Sequence, residues 1–315
     1  MKAIKGAGYI SIQTSPINAV IPGDNGSKDL KKWYFHYHPT DYTIGNYQLE
    51  TEDEFKAMAA EADKYGINII VDAASSHTTT DIKAVSEKIK AIPDWAHGNQ
   101  GITNDYDRYQ VTQYALLGLY DLNTQNKAVQ EYLLNYLKQA VADGTDGFRF
   151  DAAKHIELPG EFNSDFWTNI LANSGAKFQY GEFIRKVIGQ GYVKDGDLVN
   201  YQVSGVSEDN LITWIESHDN YANDSEESTK LTDQNIILVW SIIGVRKKGA
   251  PLFFSRPVGG GGQHERSPGT TKIGDAGSNL FKDPMIVAIN NFCNAINGQS
   301  EYIRNPNMDQ GFVMI

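Results

Sequence analysis

The chain has 315 residues, enough to bury one large core, and its formal net charge of -11 argues against nucleic acid or anionic membrane as a partner. Its single cysteine, Cys293, excludes an internal disulfide and a cysteine-built metal site. No run of about 20 apolar residues and no charged-then-apolar leader at Met1 is present, so neither a membrane span nor a secretion signal is expected in the chain as given.

Taken in chain order, Tyr9-Ile-Ser-Ile-Gln-Thr14 reads as a first strand. Trp33, Tyr34, Phe35, Tyr37 and Tyr42 then crowd among turn residues, which favours a recognition surface over a core cluster. Thr51-Glu-Asp-Glu54 is a capping box; Phe55, Met58, Ala59, Ala62 and Tyr65 form the helical stripe behind it, and Gly66 stops the helix before a strand over residues 67–72. The alternation lapses over residues 78–123, a polar, turn-rich excursion. It resumes with a stripe from Val129 to Val141, a stop at Gly144 and a strand that carries Arg149 and Asp151. Residues 236–245 predict a helix feeding the strand Pro251-Leu-Phe-Phe-Ser255, and Asp283-Pro284 opens a last helix through Ile296. On that helix Cys293 shares a face with Ile286, Ile289 and Ile296, the pattern of a buried structural thiol. Gly259-Gly-Gly-Gly262 lacks the Lys-Ser/Thr of a phosphate loop and reads as a flexible loop. Strands alternating with amphipathic helices are the pattern of a parallel α/β sheet.

Three segments end on an acid. Phe148 and Phe150 alternate with Arg149 and Asp151, which puts two aromatics on one strand face and two charges on the other. Glu182 ends Phe178-Gln-Tyr-Gly-Glu182, and Asp219 ends Ile212-Thr-Trp-Ile-Glu-Ser-His218-Asp219. Singly, each acid reads as a cap or turn residue. Jointly, they suit glycoside cleavage, which needs two carboxyl groups flanking one bond.

Four motifs in order, Asp72-Ala-Ala-Ser-Ser-His77, Gly147-Phe-Arg-Phe-Asp-Ala-Ala-Lys-His155, Gly181-Glu182 and Glu216-Ser-His-Asp219, resemble those of glycoside hydrolase family 13 α-amylases, closest to the secreted bacillus type. The resemblance implies a (β/α)8 barrel with working residues at strand C-terminal ends. It implies Asp151 as nucleophile, Glu182 as general acid/base and Asp219 as the acid that holds the sugar. Arg149 would orient Asp151, His77 and His218 would bind sugar hydroxyls, and Lys154 with His155 would line the leaving-group side. Trp33, Tyr34, Tyr37 and His38 match the family's aromatic platform, with His38 standing where the family has glutamine. The excursion corresponds to domain B, leaving residues 1–77 and 124–315 as the barrel. Thr112, Asp121 and the carbonyl of His155 match calcium ligands, while Ser76 replaces a ligand asparagine; the alternative for Asp121 is a cap on the following helix. Against the family, the chain is expected to lack the first strand, the sixth-strand unit and the C-terminal β-sandwich, with residues 198–203 as a substitute strand in an incomplete barrel. The implied activity is retaining, endo-acting hydrolysis of α-1,4-glucosidic bonds in starch and malto-oligosaccharides, outside the cell. The alternatives are another retaining activity of the family, α-glucosidase or glucan transferase, and an inactive carbohydrate-binding remnant.

Overall fold

The computed structural model describes residues 1–23, 26–49, 51–181, 211–223, 228–268, 271–301, 303–304 and 313–314. They fall into two compact units, Ile10–Phe183 and a second made of Met1–Tyr9 with Ile184–Ile315. Glu182 and residues 198–203 lie outside the described residues.

The Ile10–Phe183 unit is built on four parallel strands, β1 (Ser11–Thr14), β2 (Asn68–Ala74), β3 (Gly147–Asp151) and β4 (Phe178–Gly181), paired in that order. Each is reached by the local signals of the sequence. The helix Glu52–Asp63 begins with both halves of the capping box, Glu54 N donating to Thr51 Oγ1 and Thr51 N to Glu54 Oε2. It buries Phe55, Ala59 and Ala62, the inner positions of the predicted stripe. Full burial of a side chain such as Phe55 contributes about 1.5–3 kcal/mol. The helix Lys127–Ala142 buries Val129, Leu133, Tyr136, Leu137 and Ala140 in the same manner. Gly144, at φ +108°, turns the chain out of it toward β3, where a β-carbon would strike Ala59. Phe148 and Phe150 are fully buried on one face of β3, as the alternation requires.

Residues 78–123 hold two short helices, Glu87–Lys90 and Arg108–Gln113, and an antiparallel pair, Ala96–Gly98 with Asp121–Leu122. Their connections are mostly backbone hydrogen bonds in turns, as a polar segment without periodicity would provide.

In the second unit, β5 (Ile212–Trp214) and β6 (Ala250–Leu252) pair in parallel. The helices Asp233–Ile243 and Pro284–Ile296 close a core of Ile215, Ile236, Ile237, Val239, Trp240, Ile243 and Ile286. Trp240 Nε1 donates to Asn290 Oδ1 at 2.9 Å, and Asn290 Nδ2 donates to the Ala7 carbonyl at 2.8 Å, which fastens the N-terminal helix Lys2–Gly6 to this core. Cys293 corrects the sequence reading: it is half-buried, because only Ile286 and Asn290 of the last helix are covered fully. Among the described residues no helix is long and apolar enough to cross a membrane.

Candidate active site

Parallel register places Asp72 of β2 opposite Arg149 of β3, and Arg149 opposite Tyr180 of β4. Arg149 Nη1 donates to Asp72 Oδ2 at 2.6 Å and to Asp151 Oδ1 at 2.9 Å, so one guanidinium nitrogen bridges two carboxylates. Tyr37 OH donates to the same Asp72 oxygen at 2.9 Å. Burial works against charge on Arg149, yet Asp72 and Asp151 together hold its pKa above the ordinary arginine value. The two acids differ in access. The Asp72 side chain is 1% exposed and that of Asp151 15%, so Asp151 is the carboxylate that an incoming molecule can reach. Directly after it, Ala152 takes a left-handed conformation (φ 48°, ψ 34°), which costs a non-glycine residue about 1–2 kcal/mol and swings the chain sharply into the turn Ala153–His155.

Around this centre the histidines are held neutral. His77 is buried; its Nδ1 meets Ser76 Oγ at 2.8 Å and its Nε2 the Tyr37 carbonyl at 3.0 Å, so both ring nitrogens are engaged within the protein. Desolvation lowers its pKa although Asp151 works the other way. His155 donates Nδ1–H to the Val111 carbonyl at 2.9 Å, and burial lowers it to about 4. That leaves Nε2, buried without a hydrogen-bond partner, as a bare acceptor suited to a hydroxyl. His38 is likewise lowered to about 4 by burial, then by His77, and its Nδ1 has no partner.

The aromatic segment forms the 3₁₀ stretch Leu30–Tyr37, started by the Asp29 side chain accepting from Lys31 N. Trp33 meets Tyr37 edge to face at 5.6 Å, and Tyr34, which is exposed, lies 5.9 Å from the His38 ring. Tyr42 departs from the recognition-surface reading. It is buried, and its hydroxyl donates to the Ala74 and His77 carbonyls, which makes it part of the support under the site.

Asp121 does not cap the following helix, whose cap is Asn126. Its Oδ2 accepts from His97 Nδ1 at 2.7 Å. Burial raises the Asp121 pKa to about 7 against the pull of His97, and Glu157 adds to the rise. Glu157 is itself fully buried, with only neutral donors, Gln113 Nε2 at 2.5 Å and Thr124 Oγ1 at 2.6 Å. Asn123 Oδ1 is buried without a partner. Asp121 and Glu157 feel each other's charge, and the Thr112 hydroxyl adjoins the Gln113 amide that holds Glu157, so buried oxygens, the donor type that a hard cation requires, lie on this segment. Thr112 Oγ1 is partly committed, donating to the Arg108 carbonyl. Among the described residues no three His, Cys, Asp or Glu side chains converge for a metal.

Sequence reasoning missed Arg108. From the excursion it donates to Glu161, to the Lys154 carbonyl at 2.7 Å and to the Ile156 carbonyl at 3.3 Å, fixing the turn that carries Lys154 and His155. Lys154 itself is exposed.

In the second unit Asp219 is not at a strand end. β5 stops at Trp214, and Asp219 stands in the first turn of the helix His218–Ala222, where Ser217 and Asn220 form a capping box. His218 Nε2 lies 3.7 Å from Asp219 Oδ1. Glu216, three residues earlier, is buried and gripped by Arg256 through two hydrogen bonds of 2.7 Å; sequence reasoning missed this pair too, although a buried acid beside an apolar strand calls for a cation.

Residues 1–220 match the family model described as "Alpha amylase, catalytic domain". The chain is 35% identical over 371 residues to an α-amylase from Butyrivibrio fibrisolvens, covering 97% of this chain and 38% of that protein. With an α-amylase from Clostridium acetobutylicum it shares 34% over 350 residues, covering 100% and 44%. It therefore spans less than half the length of these two relatives. Among solved structures, wild-type α-amylase I from Eisenia fetida superposes with a TM-score of 0.75 at 18% identity, over 99% of this chain and 77% of that one. An α-amylase from Malbranchea cinnamomea gives 0.69 at 20%, over 100% and 74%. These likenesses carry the (β/α) barrel fold; among the described residues one unit holds a four-stranded parallel sheet and the other a parallel pair. By its family match and its ordered motifs, the chain belongs to the α-amylase catalytic-domain family.

Proposed function

We propose that this chain is the catalytic part of a retaining, endo-acting α-amylase that cleaves α-1,4-glucosidic bonds of starch and malto-oligosaccharides outside the cell. The observation that carries the reading is the Arg149 bridge, which leaves Asp72 buried and presents Asp151, charged partner attached, at the end of β3. Asp151 attacks the anomeric carbon, Glu182 protonates the departing oxygen and then activates water, and Asp219 holds the sugar. Arg149 keeps Asp151 oriented. His38 and His218 contact hydroxyls, and Lys154 with His155 lines the leaving-group side, where the bare Nε2 of His155 is an acceptor; His77, expected from the resemblance to bind a hydroxyl, has both ring nitrogens engaged by Ser76 and Tyr37 and braces that segment instead. Trp33, Tyr34 and Tyr37 offer ring faces to the apolar faces of pyranose rings.

Residues 78–123 act as domain B against a barrel of residues 1–77 and 124–315. Calcium, held by Asp121, Thr112 and the His155 carbonyl, would cross-link that excursion to the turn after β3 and would bind weakly, since Ser76 offers one short neutral oxygen. Incubation with soluble starch, with product lengths and anomeric configuration followed in time, tests the reading. Malto-oligosaccharides of mixed length released first as the α-anomer support it; glucose alone, transfer products alone, or no turnover would count against it.

A further inference from the structure

Among the described residues of the second unit, Arg256 is a buried cation that follows β6 and belongs to none of the motifs above. Its Nε and Nη2 grip Glu216 in a two-pronged pair, its Nη1 donates to the Leu231 carbonyl at 2.7 Å, and Nη2 also reaches the Ser228 carbonyl at 3.1 Å. The guanidinium lies 5.0 Å from the centre of the Tyr221 ring. Tyr221 is itself buried, donating its hydroxyl to the Arg266 carbonyl at 2.6 Å and resting on Phe254. Gly261, at φ +83°, lets the backbone come up against the guanidinium, where any side chain would collide with it.

These contacts surround one short element. Glu216 is the second residue before the helix His218–Ala222, Tyr221 lies inside it, and Ser228, whose amide donates to the Asn220 carbonyl at 2.9 Å, packs against it from downstream. A five-residue helix has no stability of its own, so its place is set by what grips its ends. Arg256 grips both sides of it at once, and Asp219 and His218 ride on it. Burial lifts the Glu216 carboxyl above its ordinary value and Arg256 brings it part of the way back, so the pair is there at a cost in desolvation that a merely packed apolar pair would avoid. What the ionic pair adds over apolar packing is direction: a planar fork fixes two oxygens at once, which an ammonium cannot do.

We infer that Arg256 is a positioning residue for the reaction, fixing through Glu216 and Tyr221 the helix that presents Asp219 and His218 to the sugar. The inference rests on the functional reading above.

The test is a cycle of Arg256→Lys and Asp219→Asn, alone and together, in the full chain, with kcat and KM measured on 4-nitrophenyl α-maltotrioside and thermal melts run in parallel. A misplacement of about 1 Å costs on the order of 10²-fold in rate. Arg256→Lys, which keeps the charge, is expected to lower kcat by about 10- to 100-fold, with KM changed by less than about threefold. In the Asp219→Asn background the same substitution is expected to change the rate by less than about twofold, because the group being positioned is gone. Glu216→Gln serves as the second route, with the same kcat loss and the same dependence on Asp219. Equal fractional losses in both backgrounds, tracking a fall in the melting temperature, would reduce Arg256 to a structural residue and overturn the inference. An Arg256→Lys kcat within twofold of an active parent overturns it as well, and leaves the functional reading standing. A folded parent without turnover on starch or on the trioside overturns both.

Discussion

Replacing Arg149 with methionine keeps an unbranched apolar stem and deletes the guanidinium that joins Asp72 to Asp151. Two charge-assisted hydrogen bonds of 2.6 and 2.9 Å disappear, each worth about 1.5–3 kcal/mol. Asp72, buried in the sheet, then holds its charge with the Tyr37 hydroxyl but without its cation. Removing one member of a buried pair costs about 3–5 kcal/mol. The loss has a ceiling, because Asp72 can escape by taking up a proton; for a carboxyl of ordinary pKa near 3.9 that costs about 4 kcal/mol at pH 7. We therefore expect Arg149→Met to lose about 4 kcal/mol of unfolding free energy at pH 7, read from urea titrations with parental slope. The sign with pH follows from proton counting. The folded variant then binds a proton that the unfolded chain does not, so the variant gains relative stability as pH falls, by about 1.4 kcal/mol per unit between pH 7 and 5. A deficit under about 1 kcal/mol, or one that stays flat across those two units, would refute the view that Arg149 neutralises a buried carboxylate.

Asp151→Asn and Glu182→Gln should each lower turnover on starch by at least about 10²–10⁴-fold while malto-oligosaccharide binding, measured by calorimetry, stays near parental; near-parental rates in either variant would remove the catalytic assignment. His38, lowered to about 4 chiefly by burial, refuses in the fold a proton that an unfolded histidine near 6.5 accepts. Stability linked to it is present above pH 6.5 and lost as pH falls toward 4, by at most about 3 kcal/mol, so His38→Gln should flatten the acid limb of a melting-temperature profile. Calcium added to chelator-treated protein should raise the melting temperature, and Asp121→Ala should abolish the rise; an unchanged melt across millimolar calcium in the parent would leave Asp121 with its His97 partner alone.

The elements that depend on neighbours in sequence were legible. Thr51 and Glu54 are three residues apart and cap each other, and the Phe55, Ala59, Ala62 stripe became the buried face because a helix brings positions three and four apart together. The pairing of Asp72 with Arg149 was not, since 77 residues separate them and only the β2–β3 register decides which side chains meet. Arg108 escaped for a related reason: its acceptors are backbone carbonyls, which every residue possesses and no pattern advertises. Asp219 was misplaced because a run of apolar residues through Ile215 continues the strand pattern, whereas the Ser217–Asn220 capping box starts a helix there. The resemblance supplied the roles of the acids, which local pattern reads only as caps and turns.

The grip of Arg108 on the turn after β3 separates two things that side-chain contacts usually join. It holds that turn by the carbonyls of Lys154 and Ile156, and His155 is turned inward by a bond to the carbonyl of Val111. Main-chain anchors make the path of the turn indifferent to the identity of residue 154, whose side chain stands in solvent. On the proposed function, position 154 is thus a place where substitutions would change what the leaving group meets while the path of the turn stays the same. A library confined to that position would sample product preference on a constant scaffold.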